Sequence, residues 1–228
     1  LASTASGTWG QLLYIGLLGG LLALDTTSVG QFMFSRPLVA GAVTGWVLGD
    51  LSLGLTIGVV LETYMLVSFP SGGARFPDGT TATVVAVAAA SVVPSAGALP
   101  LAVGAGLFWG QVGGWSVTTL RKLNGRLVPE SSDPSVTVRR VTLVQLSSVL
   151  LDFLRGVIVT VVGAGLGRLV VSALADSWPL AEAPSLGLLV VGGAVSVGIL
   201  LHDLGGFRKR RVVFVAGLAL GIIGARFL

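Results

Sequence analysis

The sequence predicts an all-α polytopic membrane protein in which some helices are broken or re-entrant. Of its 228 residues, 53% are apolar and only 11% are charged, whereas a soluble domain carries about 25% charged residues to cover its surface. The mean hydropathy is +0.93. A soluble monomer is therefore excluded, and the lipid bilayer is the expected environment.

The charged and sulfur-containing residues narrow the function classes. The net charge is +4, but the basic residues cluster in short loops between apolar runs, as positive-inside topology requires, so we expect no nucleic acid partner. There is no cysteine and a single histidine, His202. Thiol catalysis and zinc–thiolate sites are thus excluded, and little room remains for histidine-based phosphoryl transfer. We expect no catalytic residue, no metal and no cofactor.

Apolar runs of helical length define the predicted elements. They cover residues 8–24, 37–69, 80–93, 99–119, 141–175, 186–201 and 212–228. A single span needs about 17–25 apolar residues. The run 37–69 is interrupted by Gly49-Asp50, which predicts two short helices joined by a turn. The run 141–175 is also too long for one span, and we expect it to break near Arg155-Gly156. Segments of 12–16 residues in the first half indicate half-spanning hairpins.

Charge asymmetry predicts the orientation of the second half. The polar stretch 121–140 and the basic run 208–211 hold most Lys and Arg residues, and both are expected on the cytoplasmic side. We interpret 121–140 as an exposed cytoplasmic loop. The acidic, aromatic segment 176–182 has no Lys or Arg and is expected outside. Residues 1–228 together form a single transmembrane domain in this interpretation.

Glycine spacing predicts close helix packing. Gly41, Gly45 and Gly49 recur every four residues, and Gly54 and Gly58 repeat the step. Residues four apart share one helix face, so two backbones can approach closely along it. A chain built this way needs neighbours, and we expect an oligomer rather than a stable monomer.

Ionisable residues inside apolar runs are the first functional candidates, because a charge is unfavourable in lipid. Glu62 has no basic neighbour in sequence, so it should face a polar cavity or a partner charge. The alternative is a structural ion pair with an arginine from another helix. Asp152 and Arg155 are three apart and should pair with each other. Arg36 is interpreted as an interfacial anchor and Arg168 as a residue that reaches an interface.

The segment 69–79 predicts an irregular loop, since it contains two prolines and several glycines. Such a backbone at membrane depth must be buried in protein or line a cavity. Arg75 and Asp78 place opposite charges in this loop, and both are suitable hydrogen-bonding groups for a polar solute. Gly72 and Gly73 would let the backbone approach that solute. An exposed surface loop is the alternative.

Three segments of this sequence carry a family resemblance. They read QFMFSRPLVAG at 31–41, GWVLGDLSLGLTIGVVLE at 45–62, and Pro-Asp at 77–78. They resemble the membrane IIC component of the mannose–fructose–sorbose family of phosphotransferase systems (PTS). The step from Glu62 to Asp78 fits the family spacing without a gap, and the resemblance covers roughly residues 30–80.

The resemblance implies both a fold and a function. The fold would be an elevator-like transporter of the bacterial inner membrane, with a moving core against a scaffold. The chain would pair with a IID membrane subunit and translocate a sugar, while cytoplasmic IIA and IIB proteins carry out phosphoryl transfer, so this subunit is not itself an enzyme. Glu62 and Asp78 would hydrogen-bond sugar hydroxyls. The predicted sugar-binding set is Glu62, Asp78, Gln31, Arg75, Gly72 and Gly73.

Two departures from the family pattern leave alternatives open. Pro70 stands where the family commonly has an asparagine, and Arg75 replaces a small apolar residue. An altered substrate is expected. One alternative is an orphan or regulatory subunit that binds a IID partner without ordinary sugar transport. Another is an unrelated substrate-capture subunit that matches only in glycine-rich composition.

The predicted orientation can be tested by cysteine labelling, since the native chain contains no cysteine. Ser131→Cys and Phe207→Cys should react with an impermeant maleimide only after the membrane is permeabilised, because the neighbouring basic residues are retained inside. Ser177→Cys should react in intact cells. Labelling of Ser131→Cys or Phe207→Cys from outside would contradict the orientation.

Overall fold

The computed structural model describes residues 2–66, 75–128 and 137–224, and the regular secondary structure in this part of the chain is helical, without strands. The all-α prediction is confirmed. Three helical stretches of the described residues are long and apolar enough to cross a membrane, at Gly10–Thr27, Val138–Ser177 and Glu182–Asp203. The helices are α1 (Ala2–Thr27), α2 (Pro37–Leu48), α3 (Leu51–Tyr64), α4 (Gly79–Ala90), α5 (Ala98–Leu127), α6 (Val138–Leu174), α7 (Glu182–Asp203) and α8 (Phe207–Gly224), with a short 3-10 turn at Ala175–Ser177.

The predicted break at Gly49-Asp50 is confirmed. Gly49 adopts φ 83°, a left-handed conformation that ends α2, and glycine enters it without a steric penalty. Asp50 Oδ1 then accepts a hydrogen bond of 2.9 Å from Leu53 N and caps α3. At 1.5 Å per residue, the 12 residues of α2 and the 14 of α3 rise about 18 and 21 Å. Neither helix alone matches the roughly 30 Å hydrocarbon core, as a half-spanning hairpin requires.

The glycine-mediated contact between α2 and α3 is also confirmed. A Cβ atom on Gly41 would lie 2.9 Å from Gly58 Cα, and one on Gly45 would lie 2.7 Å from Gly54 Cα. Real Cβ atoms do not approach that closely, so each of these positions requires glycine. The two backbones touch directly along this face.

Helix α4 is the centre of the bundle, and every residue from Thr80 to Ala90 is buried. Glycines of the surrounding helices, which have no side chain, allow those helices to pack closely against α4. A Cβ on Gly113 of α5 would lie 2.8 Å from Asp78 Cβ, and one on Gly167 of α6 would lie 3.1 Å from Ala89 Cβ. Gly113 and Gly106 of α5 lie against Asp78 and Ala86 respectively, so α5 is antiparallel to α4. Arg155 and Gly167 of α6 lie against Asp78 and Ala89 respectively, so α6 is parallel to α4. One end of the bundle is therefore defined by Asp78, which begins α4.

The expected break near Arg155-Gly156 is wrong, because α6 runs without interruption over 37 residues, about 55 Å. Gly156 serves close packing instead. A Cβ there would lie 2.7 Å from Ala23 Cβ and 2.9 Å from Gly20 Cα, both on α1. The glycine lets α1 lie against α6.

The polar stretch 121–140 is more helical than expected. Helix α5 continues to Leu127 and α6 begins at Val138, so the interpretation of the whole stretch as a loop is wrong at both ends. Residues 129–136 lie outside the described part. The cytoplasmic position of this stretch stays a prediction.

Close packing of α2 on α3 predicts a large effect for a single methyl group. Gly45→Ala would place Cβ 2.5 Å from Asp50 O and 2.7 Å from Gly54 Cα. Because both neighbours are backbone, we expect a destabilisation of about 1–3 kcal/mol, measured as a lower thermal midpoint in detergent. Gly165→Ala on α6 is the matched control, since no described atom lies within 4 Å of its Cβ. Equal midpoints for the two variants would contradict this packing.

Candidate functional site

Two carboxylate–arginine groups lie near the end of the bundle where α4 begins. The first, the Glu62 pair, consists of Arg36 and Glu62. The second, the Asp78 cluster, consists of Asp78, Asp152 and Arg155. Both predicted carboxylates are thus neutralised by arginines distant in sequence.

The Glu62 pair joins the end of α3 to the start of α2. Arg36 Nε donates to Glu62 Oε1 at 2.8 Å, and Arg36 Nη2 contacts the same oxygen. Glu62 Oε2 accepts from Leu38 N at 3.3 Å. The ion pair with Glu62 was not predicted for Arg36, and its interpretation as an interfacial anchor stays a prediction. Of the two expectations for Glu62, the partner charge is the one observed. The Arg36 and Glu62 side chains are 31% and 21% exposed, so this pair is only partly buried.

Asp78 is the N-cap of α4. Its Oδ1 accepts from Thr81 N at 3.1 Å and its Oδ2 from Thr81 Oγ1 at 2.6 Å. Its own N–H donates to Gly110 O on α5 at 2.8 Å. Arg155 Nη1 lies 3.5 Å from Asp78 Oδ2. Asp78 is 1% exposed, so here it fixes the start of α4 against α5 and α6.

Arg155 connects Asp78 to Asp152. Its Nε lies 2.9 Å from Asp152 Oδ1, and its Nη1 donates to Ser116 Oγ at 3.0 Å. The predicted pairing of Asp152 with Arg155 is confirmed, while its extension to Asp78 was not predicted. Asp152 Oδ2 also accepts from Thr27 Oγ1 at 2.9 Å and from Ser28 Oγ. Buried charges are stable only with such additional hydrogen bonds. Arg155 Nη2 is buried without a partner among the described residues.

The segment between α1 and α2 is held by a further buried carboxylate, Asp25. Its oxygens accept from Phe32 N at 2.6 Å and Ser35 N at 2.9 Å. Thr80 Oγ1 of α4 donates to Ser35 O at 2.9 Å. Sequence reasoning did not single out Asp25, which follows the apolar run 8–24 directly, although its structural helix α1 extends to Thr27.

The other predicted site residues are dispersed. Gln31 has a left-handed φ of 53° and lines a cavity of about 330 Å³ together with Asp152. Arg75 is exposed, and the ion-pair partner of Asp78 in the described part is Arg155 rather than Arg75. Gly72 and Gly73 lie outside the described residues.

Arg168 does not extend to an interface, and this prediction is wrong. Arg168 is only 8% exposed, and its Nε donates to Ala88 O in the last turn of α4 at 3.1 Å. Carbonyls of a last turn have no partner within their own helix. Ala88 O accepts from Arg168 Nε and also from Ser91 Oγ, at 3.0 Å. Helix α6 therefore contacts α4 through an arginine near each end.

The sequence was compared with known families. The model of one family, described as the sorbose-specific IIC component of the phosphotransferase system, matches residues 9–223. The chain belongs to this family. The match extends from α1 into α8 and confirms the resemblance that residues 30–80 carried.

Two curated relatives of this IIC chain are the mannose-specific EIIC components of Escherichia coli strain K12 and of Shigella flexneri. Each is 40% identical to it over 55 residues, which is 24% of this chain and 21% of the relative. The aligned part therefore spans about a fifth of the length of these relatives.

Two solved structures share the fold of this IIC chain. One, described only as a membrane protein, has a TM-score of 0.69 and 21% identity. The other is the cryo-EM structure of the mannose transporter ManYZ in complex with microcin E492, with a TM-score of 0.56 and 22% identity. In both cases the similarity covers 95% of this chain and 92% of the other. At these identities, the likeness establishes a membrane-transporter fold and no more.

The Asp78 cluster predicts a strong stability effect at Arg155. Arg155→Leu would leave the carboxylates of Asp78 and Asp152 buried without a cation, and we expect a loss of about 3–5 kcal/mol. The thermal midpoint, followed by tryptophan fluorescence, measures it. Adding Asp78→Asn and Asp152→Asn to Arg155→Leu should recover much of the loss, because no unpaired charge remains. An unchanged midpoint for Arg155→Leu alone would contradict the ion-pair assignment.

Proposed function

We propose that this IIC chain is the sugar-translocating membrane subunit of a bacterial phosphotransferase system and lies in the inner membrane. The observation that carries the proposal is the family match over residues 9–223, which takes in the α2–α3 hairpin, α4 and both carboxylate–arginine groups. The transported solute is a neutral hexose-type sugar.

The proposal assigns phosphoryl transfer to cytoplasmic IIA and IIB partners. This chain has one histidine and no cysteine, and His202 is an exposed residue at the end of α7. A IID-type subunit is the expected membrane partner. The two-component mannose transporter that shares the fold supports this. So do the exposed apolar side chains along α7 and α8, among them Val190, Val191, Val212 and Val213, which lipid or a partner has to cover.

The proposed sugar site lies at the Glu62 pair, with Asp78 beneath it. A sugar presents hydroxyl donors, and hydrogen bonds to a carboxylate contribute roughly 1.5–3 kcal/mol each. Arg36 fixes the Glu62 carboxylate for this purpose. Asp78 is covered in this conformation, so its contact with sugar requires a displacement of neighbouring residues. The buried Nη2 of Arg155 supplies an unused donor beside it. Gln31, Arg75, Gly72 and Gly73 belong to the proposed surroundings of the sugar.

An elevator-like displacement is part of the proposal. The α2–α3 hairpin is joined by glycine contacts rather than by interlocking side chains, and it carries Glu62. A unit of this kind can move as one body and take the site with it.

One observation favours a second candidate, a regulatory subunit that binds a IID partner without transport. Both oxygens of Glu62 are already engaged, by Arg36 and by Leu38 N. Under this alternative the Glu62 pair is structural.

Glu62→Gln separates the two candidates. The amide keeps the shape of the side chain but loses the charge and half the acceptor capacity. As a sugar ligand, Glu62 should be needed for affinity, and we expect at least a tenfold rise in Kd for mannose or sorbose, measured on the intact complex with its IID partner.

The matched control is Asp203→Asn, an exposed carboxylate at the end of α7, which should leave both Kd and assembly unchanged. If Glu62→Gln lowers thermal stability while the folded complex binds sugar normally, the pair is structural. Unchanged binding in both Glu62→Gln and Asp78→Asn would remove the site assignment.

A further inference from the structure

A polar cavity lies between α1, α5 and α6, next to the Asp78 cluster. Its volume is about 330 Å³, at the lower end of the range of small-molecule pockets, about 300–1,000 Å³. Asp152 belongs both to the wall of this cavity and to the Asp78 cluster. A single arginine, Arg155, therefore connects the cavity to Asp78.

The cavity wall is rich in hydrogen-bonding groups. The hydroxyls of Thr27 and Ser28 lie in it and donate to Asp152. The amides of Gln31 and Asn124 lie in it as well. Asn124 Oδ1 is buried and has no hydrogen-bond partner among the described residues. A buried acceptor without a partner is unfavourable by itself, and a donor within the cavity would satisfy it.

These groups select the kind of ligand. An apolar molecule would leave the amides and hydroxyls unpaired. An anion would meet the Asp152 carboxylate and the carbonyl end of α1, which finishes at Thr27 and carries partial negative charge. The cation of the wall, Arg121, lies over the Phe76 ring, 5.5 Å from its centroid. A neutral polyol supplies both donors and acceptors and introduces no charge. A free sugar fits this cavity better than a sugar phosphate does.

We infer that this cavity is a second sugar subsite, separate from the Glu62 pair. The inference rests on the proposed function and extends it. A sugar released from the Glu62 pair is held next at Asp152, Gln31 and Asn124. From there it leaves at the end of the bundle where α5 carries Arg121 in the same wall. The subsite accepts the sugar before it is phosphorylated.

The first test removes the amide of Asn124. Asn124→Leu keeps the approximate size but no hydrogen bond, and we expect the Kd for mannose or sorbose to rise at least fivefold. Thr119→Ala is the matched control on the same helix, since its hydroxyl is already bonded to Trp115 O at 3.0 Å and is exposed. Its Kd should equal that of the parent complex. An unchanged Kd for Asn124→Leu would overturn the subsite.

The second test leaves the proposed ligands intact. Leu120 lines the cavity and the adjacent Thr119 is exposed, so Leu120→Cys and Thr119→Cys form a pair in a chain without cysteine. Mannose or sorbose should slow alkylation of Leu120→Cys at least fivefold and leave Thr119→Cys unaffected. The corresponding sugar phosphate should protect neither.

The outcomes distinguish this inference from the proposed function. If the parent complex binds sugar and Glu62→Gln weakens it, but Leu120→Cys is not protected, the subsite is overturned and the transport proposal stands. If the parent complex binds no sugar in a panel of hexoses that includes mannose and sorbose, both are overturned. Equal protection by sugar and sugar phosphate would overturn the assignment to a neutral ligand.

Discussion

The guanidinium of Arg155 is the contact on which this fold depends most. It bridges Asp78 at the start of α4 and Asp152 on α6, and all three side chains are buried. Arg155 also donates a hydrogen bond to Ser116 of α5. Asp152 accepts one from Thr27 at the end of α1. A buried charge requires close and well-oriented partners, so four helices are fixed relative to one another at this end. The placement of α4, and of any solute beside it, follows from that requirement.

Features with a local cause were predictable from the sequence. Gly49-Asp50 combines a left-handed glycine with a capping carboxylate, and both act within a few residues, so the α2–α3 turn was predicted correctly. Gly156 shows where local reasoning fails, since a glycine in a helix can mark either a break or a close contact. Gly156 forms a close contact because Gly20 and Ala23 of α1 lie against it, and these residues lie more than a hundred positions earlier in the chain. The extent of α6 was therefore outside the reach of the local pattern.

In the candidate site, too, features with a local cause were predictable and features that depend on tertiary packing were not. The unfavourable transfer of charge into lipid identified Glu62 and Asp78, and the i, i+3 spacing identified the contact of Asp152 with Arg155. Which arginine neutralises which carboxylate is a property of tertiary packing, so the sequence identifies neither Arg36 as the partner of Glu62 nor the contact of Arg168 with α4. Asp25 lies just beyond the apolar run 8–24, so this criterion does not select it. Its role is to hold the backbone of residues 32 and 35, and no motif marks such a role.

The composition of α4 has a mechanical consequence. Its sequence, GTTATVVAVAAA, contains no side chain larger than valine, and the helices around it present glycines at several contacts. Helices with long side chains lock into register because ridges of one fill grooves of the other. The shallow surface of α4 provides little of that registration, so its axial position is set by polar contacts at its two ends, to Arg155 and to Arg168. An axial shift of α4 would therefore have to break the polar contacts at its ends, but it would not have to separate long interdigitated side chains.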